Sequence, residues 1–207
     1  EARLSLQMLV KNYIPWSTSA IKPSAIKMLA NEILINKRTD VIEFGSGIST
    51  IFMAAIIRQN GEGSIFSVDH DQQWIEIMKK NLNNEGLGDY VDFIYAPLTE
   101  SRHSIGGLEW YTESKIINQV ELKKFTMAVI DGPLAYTRRL SMSRYPALPF
   151  LIENDLLDER NIIYLDDAQR KGEKRVLHFW QSNYKRSFKQ LPSCGGAVST
   201  VGAYLNT

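Results

Sequence analysis

The stretch Val41-Ile42-Glu43-Phe44-Gly45-Ser46-Gly47-Ile48-Ser49-Thr50 constrains this 207-residue chain more than any other. Residues of strand character, Val41 to Phe44, run into a glycine turn, and an apolar helical pattern follows at once from Ile51 to Ile57. Gly45 and Gly47 can take positive φ and let a ligand approach the backbone. The helix start behind them offers unpaired N–H groups. Strand, glycine turn and helix N-terminus together make a site for a nucleotide-like ligand. A dinucleotide turn reads G-x-G-x-x-G and takes a pyrophosphate. Here Thr50 replaces the third glycine, and Glu43 at the strand end would repel a phosphate. The arrangement suits a ligand that is cationic at this end.

The rest of the chain supplies the frame. Apolar spacing makes residues 1 to about 38 helical, with Leu4, Leu6, Leu9 and Val10 before a break at Ile14-Pro15-Trp16-Ser17. Ser24 is placed to cap a helix carrying Ile26, Leu29, Ile33 and Leu34. Strands and helices then alternate. Strands are expected at 41–44, 64–68, 90–95, 125–130 and 161–165, and helices at 48–58, 72–83, 145–157 and 172–180. The helix at 72–83 should bury Trp74, Ile75, Ile77, Met78 and Leu82. Residues 188–191 and 198–205 read as two strands around Pro192-Ser193-Cys194-Gly195-Gly196. The long connection 97–123, which holds Trp110-Tyr111, is of a length that usually carries function.

This alternation predicts an α/β fold: a Rossmann-like, doubly wound, mostly parallel sheet with helices on both faces, N-terminal helices and a C-terminal antiparallel hairpin. Residues 1–38 would pack on or lid the core, and residues 39–207 would form the ligand-binding domain. In such sheets ligands bind at the C-terminal ends of the strands. Glu43, Asp69, Asp131, Asp166 and Asp167 all fall there. Five carboxylates at one rim repel one another unless something cationic joins them.

Four segments in this order resemble a class I S-adenosylmethionine-dependent methyltransferase: Glu43-Phe44-Gly45-Ser46-Gly47, Ser67-Val68-Asp69-His70, Val129-Ile130-Asp131-Gly132-Pro133 and Ile163-Tyr164-Leu165-Asp166-Asp167. The resemblance covers residues 40 to 205 and points to the small-molecule O-methyltransferase-like subgroup. It implies a seven-stranded sheet whose final strand is antiparallel, and S-adenosylmethionine as cofactor. On that likeness Glu43 and the Gly45, Ser46 and Gly47 backbone hold the methionine end, and Ser49 or Thr50 bonds its carboxylate. Asp69, 24 residues after Gly45, accepts both ribose hydroxyls. His70 lies beside the adenine, and Ala96 approaches the adenine edge. Pro97, where many relatives carry an acid, offers no N–H.

The same likeness puts Asp131 where the family has a catalytic or metal-binding acid, and counts it among the cofactor contacts. Its successor Gly132-Pro133 differs from the Pro-Pro-aromatic sequence of relatives that methylate adenine or glutamine nitrogen, which favours oxygen as acceptor. Asp131 with Asp166 and Asp167 is similar to the Mg²⁺-binding set of catechol-type O-methyltransferases, and a capping role for the Asp pair competes with that reading. Arg138, Arg139 and Arg144 suit either an anionic acceptor or a solvated surface. The competing functions are an NAD(P)-dependent oxidoreductase and a methyltransferase-like domain that binds partners without catalysis.

Composition narrows the partners. With 24 basic and 23 acidic residues the net charge is +1, so no nucleic acid is expected. No apolar run has membrane-spanning length. One cysteine, Cys194, permits no internal disulfide, and a reducing, cytoplasmic location is expected. The chain opens on Glu1, which allows for an upstream segment. A homodimer contact through the aromatic residues of the long connection is an open possibility.

Overall fold

The central strands are apolar on both faces, and that places them inside. In the computed structural model, which describes residues 1–201, β1 (Asp40–Phe44) has four fully buried residues in a row. Such a strand needs cover on both sides, which a parallel sheet with crossover helices provides. β1 pairs in parallel with β2 (Ser64–Asp69) and with β6 (Phe125–Ile130). β3 (Val91–Tyr95) lies outside β2, and β7 (Leu157–Leu165) outside β6. The closing strands β8 (Lys189–Leu191) and β9 (Gly196–Thr200) form a hairpin, and β9 pairs antiparallel with β7. The sheet order is β3-β2-β1-β6-β7-β9-β8, the doubly wound, seven-stranded sheet expected from the sequence. The part of the last expected strand beyond residue 201 lies outside the described residues.

Alternation along β1 divides the core. Val41 faces an apolar layer built by α1 (Ala2–Gln7), α2 (Pro23–Leu34), α3 (Ile48–Asn60) and α4 (Gln72–Glu85). Ile42 and Phe44 face the opposite layer, which holds α5 (Glu113–Ile117), α6 (Ala147–Glu153) and α7 (Lys171–Tyr184). The first 38 residues pack on the core, since Leu6, Val10, Ile14 and Ile26 share one cluster with α3. Glu85 ties the segment down by accepting from the backbone N–H groups of Lys11 and Asn12.

Several local expectations change. α2 starts at Pro23, with Lys22 as its N-cap, because proline suits the first helical position. Ser24 instead donates to the Ser193 carbonyl at 2.7 Å. Trp74 and Ile77 are exposed, at 38% and 50% of their surface, because α4 covers the core with the narrower stripe Ile75, Met78 and Leu82. Trp74 reaches sideways, and its indole N–H donates to the Ser46 carbonyl at 2.9 Å. The long connection contains a small hairpin, β4 (Leu98–Glu100) and β5 (Glu109–Tyr111), followed by α5. β5 buries Trp110 and Tyr111 against Phe44, with ring centroids 5.3 and 6.0 Å apart. These rings are fully enclosed and give a second copy no surface to bind. Trp16 docks the N-terminal segment by stacking on Phe52 of α3, at 5.6 Å.

Candidate cofactor site and acidic cluster

Backbone hydrogen bonds carry the parallel ladder one step past the strand ends and fix four loops side by side. Gly45 N–H donates to Val68 O (2.9 Å), Asp131 N–H to Phe44 O (3.0 Å), Asp166 N–H to Ile130 O (3.0 Å) and Ala96 N–H to Asp69 O (2.9 Å). The rim expected from the sequence therefore exists, and Asp69, Asp131, Asp166 and Asp167 stand on it, while Glu43, near the end of β1, has its side chain buried. The turn after β1 and the turn after β6 touch through glycines. A Cβ on Gly45, whose φ is +93°, would lie 2.8 Å from Gly132 N. A Cβ on Gly132 would lie 2.2 Å from the Tyr111 hydroxyl and 2.8 Å from Gly45 Cα. Tyr111 thus projects into the rim from β5, a position that its place in an unassigned connection did not reveal.

Glu43 points inward, to the α3 side. Its carboxylate accepts from the hydroxyls of Ser49, Thr50 and Ser67 and is fully buried. Ser49 and Thr50 are therefore engaged with Glu43. Thr50 Oγ1 also accepts from Gly47 N–H at 3.0 Å, which closes the start of α3. Burial pushes the Glu43 carboxyl up to about 7, against the three hydroxyls that favour its charged form. Folded Glu43 thus holds a proton that the unfolded chain, near pKa 4.5, releases. The stabilisation is complete below about pH 4.5 and is lost as pH rises through 7. Between pH 5 and 8 the wild type should lose on the order of 3 kcal/mol relative to Glu43→Gln in urea unfolding. A pH-independent difference between the two would contradict a neutral Glu43.

Asp69 closes over the glycine turn. Its Oδ2 accepts from Ser46 N–H (2.9 Å) and from Ser46 Oγ (2.8 Å), and its Oδ1 accepts from Asp71 N–H (3.0 Å). His70 follows on the same turn, with Nδ1 3.5 Å from Asp69 and its ring 6.1 Å from that of Tyr111. That Nδ1 is buried without a hydrogen bond, as is the Trp110 indole N–H, so polar atoms near this rim await a partner. Ala96 is buried, and its N–H is spent on Asp69 O.

Asp131, Asp166 and Asp167 do converge, with carboxylate oxygens within 4.8 Å of one another. The cation among them comes from the chain. Arg144 is 4% exposed. Its Nη2 donates to Asp131 O (2.6 Å) and Asp131 Oδ1 (3.0 Å), and its Nη1 to Asp167 Oδ2 and Asp166 O (both 3.3 Å). Its Nε donates to Pro133 O at 3.3 Å, and Glu173 stands 3.9 Å away. Arg170 reaches the same Asp167 oxygen at 2.8 Å. The Tyr164 hydroxyl donates to Asp166 Oδ1 at 2.7 Å. Burial, and then the neighbouring acids, push the Asp131 carboxyl well above its ordinary range, and Arg144 opposes that. Of the expected basic cluster, only Arg138 and Arg139 stay exposed. Arg144 turns inward because four acids face the one pocket it can fill.

The histidines away from the rim are structural. His103 is buried between Glu113 and Glu153, at 3.6 Å from each, and His178 is an exposed residue of α7. Cys194 is buried in its turn beside the Ser24 carbonyl.

A family model described as a methyltransferase domain matches residues 42–168, from β1 through the acidic cluster. The chain belongs to this family. Solved structures place the methyltransferase in a wide structural neighbourhood. S-adenosylhomocysteine-bound PaMTH1 from Podospora anserina superposes with a TM-score of 0.70 at 12% identity, covering 99% of this chain and 88% of its own. The O-methyltransferase from Bacillus cereus in complex with S-adenosylhomocysteine gives 0.65 at 18% identity, covering 90% and 84%. TomG from Streptomyces achromogenes, an O-methyltransferase of tomaymycin synthesis solved with S-adenosylmethionine, gives 0.63 at 13%, covering 97% and 96%. No curated protein sequence matches. Among the described residues no helix of the methyltransferase is long and apolar enough to cross a membrane.

Beside the rim lies a cleft of about 720 Å³, bounded by the 105–109 loop and by residues 137–142. Ile105, Leu108 and Met142 give it apolar walls, and Glu109, Arg139 and Arg175 line it as well, the two arginines forming no ion pair among the described residues. Both bounding segments continue to the rim, one to Tyr111 and the other to Arg144. The sequence offered Arg139 as a candidate but gave no sign of Arg175, which sits in a run that looks like a plain solvated helix face.

Proposed function

We propose that this methyltransferase moves a methyl group from S-adenosylmethionine to an oxygen of a small, anionic acceptor. The observation that carries the reading is Asp69 across the glycine turn. One carboxylate oxygen accepts the N–H and O–H of Ser46, and the other accepts Asp71 N–H, so the carboxylate is held at the turn as a multiple hydrogen-bond acceptor. A cofactor diol offers a pair of donors to the same acceptor. The Gly45 and Gly132 turns leave no room for a Cβ because they pack on each other, which holds the two rim loops side by side, while the space beside Gly47 is open. Glu43 supports the turn from beneath, through its hydrogen bonds with Ser49 and Thr50.

Bound there, the cofactor supplies an electrophilic methyl group: an acceptor oxygen forms the new C–O bond while the carbon–sulfur bond breaks and its electron pair stays on sulfur. The chain's part is to align the acceptor, exclude water and take the hydroxyl proton. Asp131 is the base. Arg144 holds its Oδ1, which leaves Oδ2 for the acceptor, and burial raises its proton affinity. The guanidiniums of Arg139 and Arg175 outnumber the one acid of the cleft, Glu109, and favour a carboxylate or phosphate on the acceptor. No observation favours a nicotinamide cofactor, which would set a pyrophosphate above Glu43 and Thr50.

Calorimetric titration of S-adenosylhomocysteine into the purified chain tests the cofactor. Micromolar binding is expected, and a folded sample that binds none removes the reading. Asp131→Asn should then lower kcat by roughly 100-fold or more while the affinity for S-adenosylhomocysteine changes by less than about tenfold. An equal loss in both would make Asp131 a binding residue instead.

A further inference from the structure

We propose that Arg144 is the resident cation of the acidic cluster, so that this methyltransferase works without a divalent metal at Asp131, Asp166 and Asp167. The inference rests on the proposed methyl-transfer reading and adds what balances its charge.

A hard cation held by this triad would need Asp131 and Asp167 as ligands, because oxygen donors suit it best. Arg144 already donates to one oxygen of each, Asp131 Oδ1 at 3.0 Å and Asp167 Oδ2 at 3.3 Å. It has nowhere else to go. Three main-chain carbonyls, those of Asp131, Pro133 and Asp166, accept its other N–H groups, and it is 4% exposed. A metal would therefore sit against a buried guanidinium, like charge beside like. Asp166 and Asp167 are further occupied, by the Tyr164 hydroxyl at 2.7 Å and by Arg170 at 2.8 Å. A planar fork anchored at both ends also does what a metal does for orientation: it fixes the Asp131 carboxylate in one pose. Arg144 acts through Asp131 and is a positioning residue.

Manganese binding read by electron paramagnetic resonance tests this on the full chain, beside the S-adenosylhomocysteine titration. The wild type should bind no Mn²⁺ at the cluster up to ~1 mM, and S-adenosylhomocysteine affinity should differ by less than about twofold between EDTA and Mg²⁺. Arg144→Ala, if circular dichroism shows it folded, should gain sub-millimolar Mn²⁺ binding that a second change, Asp167→Asn, removes. Wild-type Mn²⁺ binding lost in Asp167→Asn alone would overturn the proposal, as would transfer activity abolished by EDTA and restored by Mg²⁺. A folded Arg144→Ala that gains no metal would overturn it too. Should Arg144→Ala not fold, the comparison of wild type with Asp167→Asn decides alone. Failure to bind S-adenosylhomocysteine would instead count against the methyl-transfer reading, since the metal titration does not depend on it.

Discussion

Asp69→Ala is expected to weaken S-adenosylhomocysteine binding by about 100-fold or more. Hydrogen bonds to a charged acceptor contribute about 1.5–3 kcal/mol each, and a ribose diol would make two of them to this carboxylate. The change also strips the acceptor from the Ser46 N–H and hydroxyl and from the Asp71 N–H, so the turn loses its closure. Asp69→Asn separates the two effects. It keeps a carbonyl oxygen for the turn and loses the charge, and about a tenfold loss of affinity is expected. Calorimetry on the three proteins at one temperature gives the comparison. Wild-type affinity in Asp69→Ala would remove the ribose from this corner, and the cofactor site with it.

Gly132→Ala should be the most damaging single methyl addition at the rim. The new Cβ would meet the Tyr111 hydroxyl at 2.2 Å and Gly45 Cα at 2.8 Å. Tyr111 is 1% exposed and packed between Phe44 and Trp110, so its ring cannot swing aside. Gly45 is held by its bond to Val68 O. Overpacking of this kind costs roughly 3 kcal/mol, which lowers Tm by roughly 6–12 °C in a chain of this size. Cofactor affinity should fall as well, because the two turns that border the ligand are forced apart. Adding Tyr111→Phe removes the nearer contact and leaves the Gly45 contact, so the double variant should recover part of the loss. An unchanged Tm in Gly132→Ala would mean that the two turns do not touch in solution.

Much of this architecture follows from local sequence. Val41, Ile42 and Phe44 put apolar side chains on both faces, so β1 had to be central. Gly45 and the apolar run after it define the turn and α3. Asp69, Asp131, Asp166 and Asp167 were readable as rim residues because each directly ends a strand, and parallel strands deliver their C-terminal ends to one side. Faces of helices were less legible. Trp74 and Ile77 look like core residues on α4, yet the helix buries only the stripe that meets the sheet.

Side-chain direction and long-range pairing lay beyond the sequence. Glu43 reads as a ligand contact, but alternation along β1 turns it toward α3, where three hydroxyls meet it. Arg144 reads as one of three surface cations thirteen residues past Asp131. Only the fold, by bringing the 133–146 loop back over the ends of β6 and β7, makes it the counter-charge of the cluster. Arg175 and Tyr111 reach the cleft and the rim from separate segments for the same reason. The sequence by itself determined the strands, the glycine turn and which acids stand at the rim, because those depend on neighbours a few residues apart. The tertiary structure alone decided which groups balance those acids, because charge pairing in a buried site depends on which distant segments the fold brings within about 4 Å of each other.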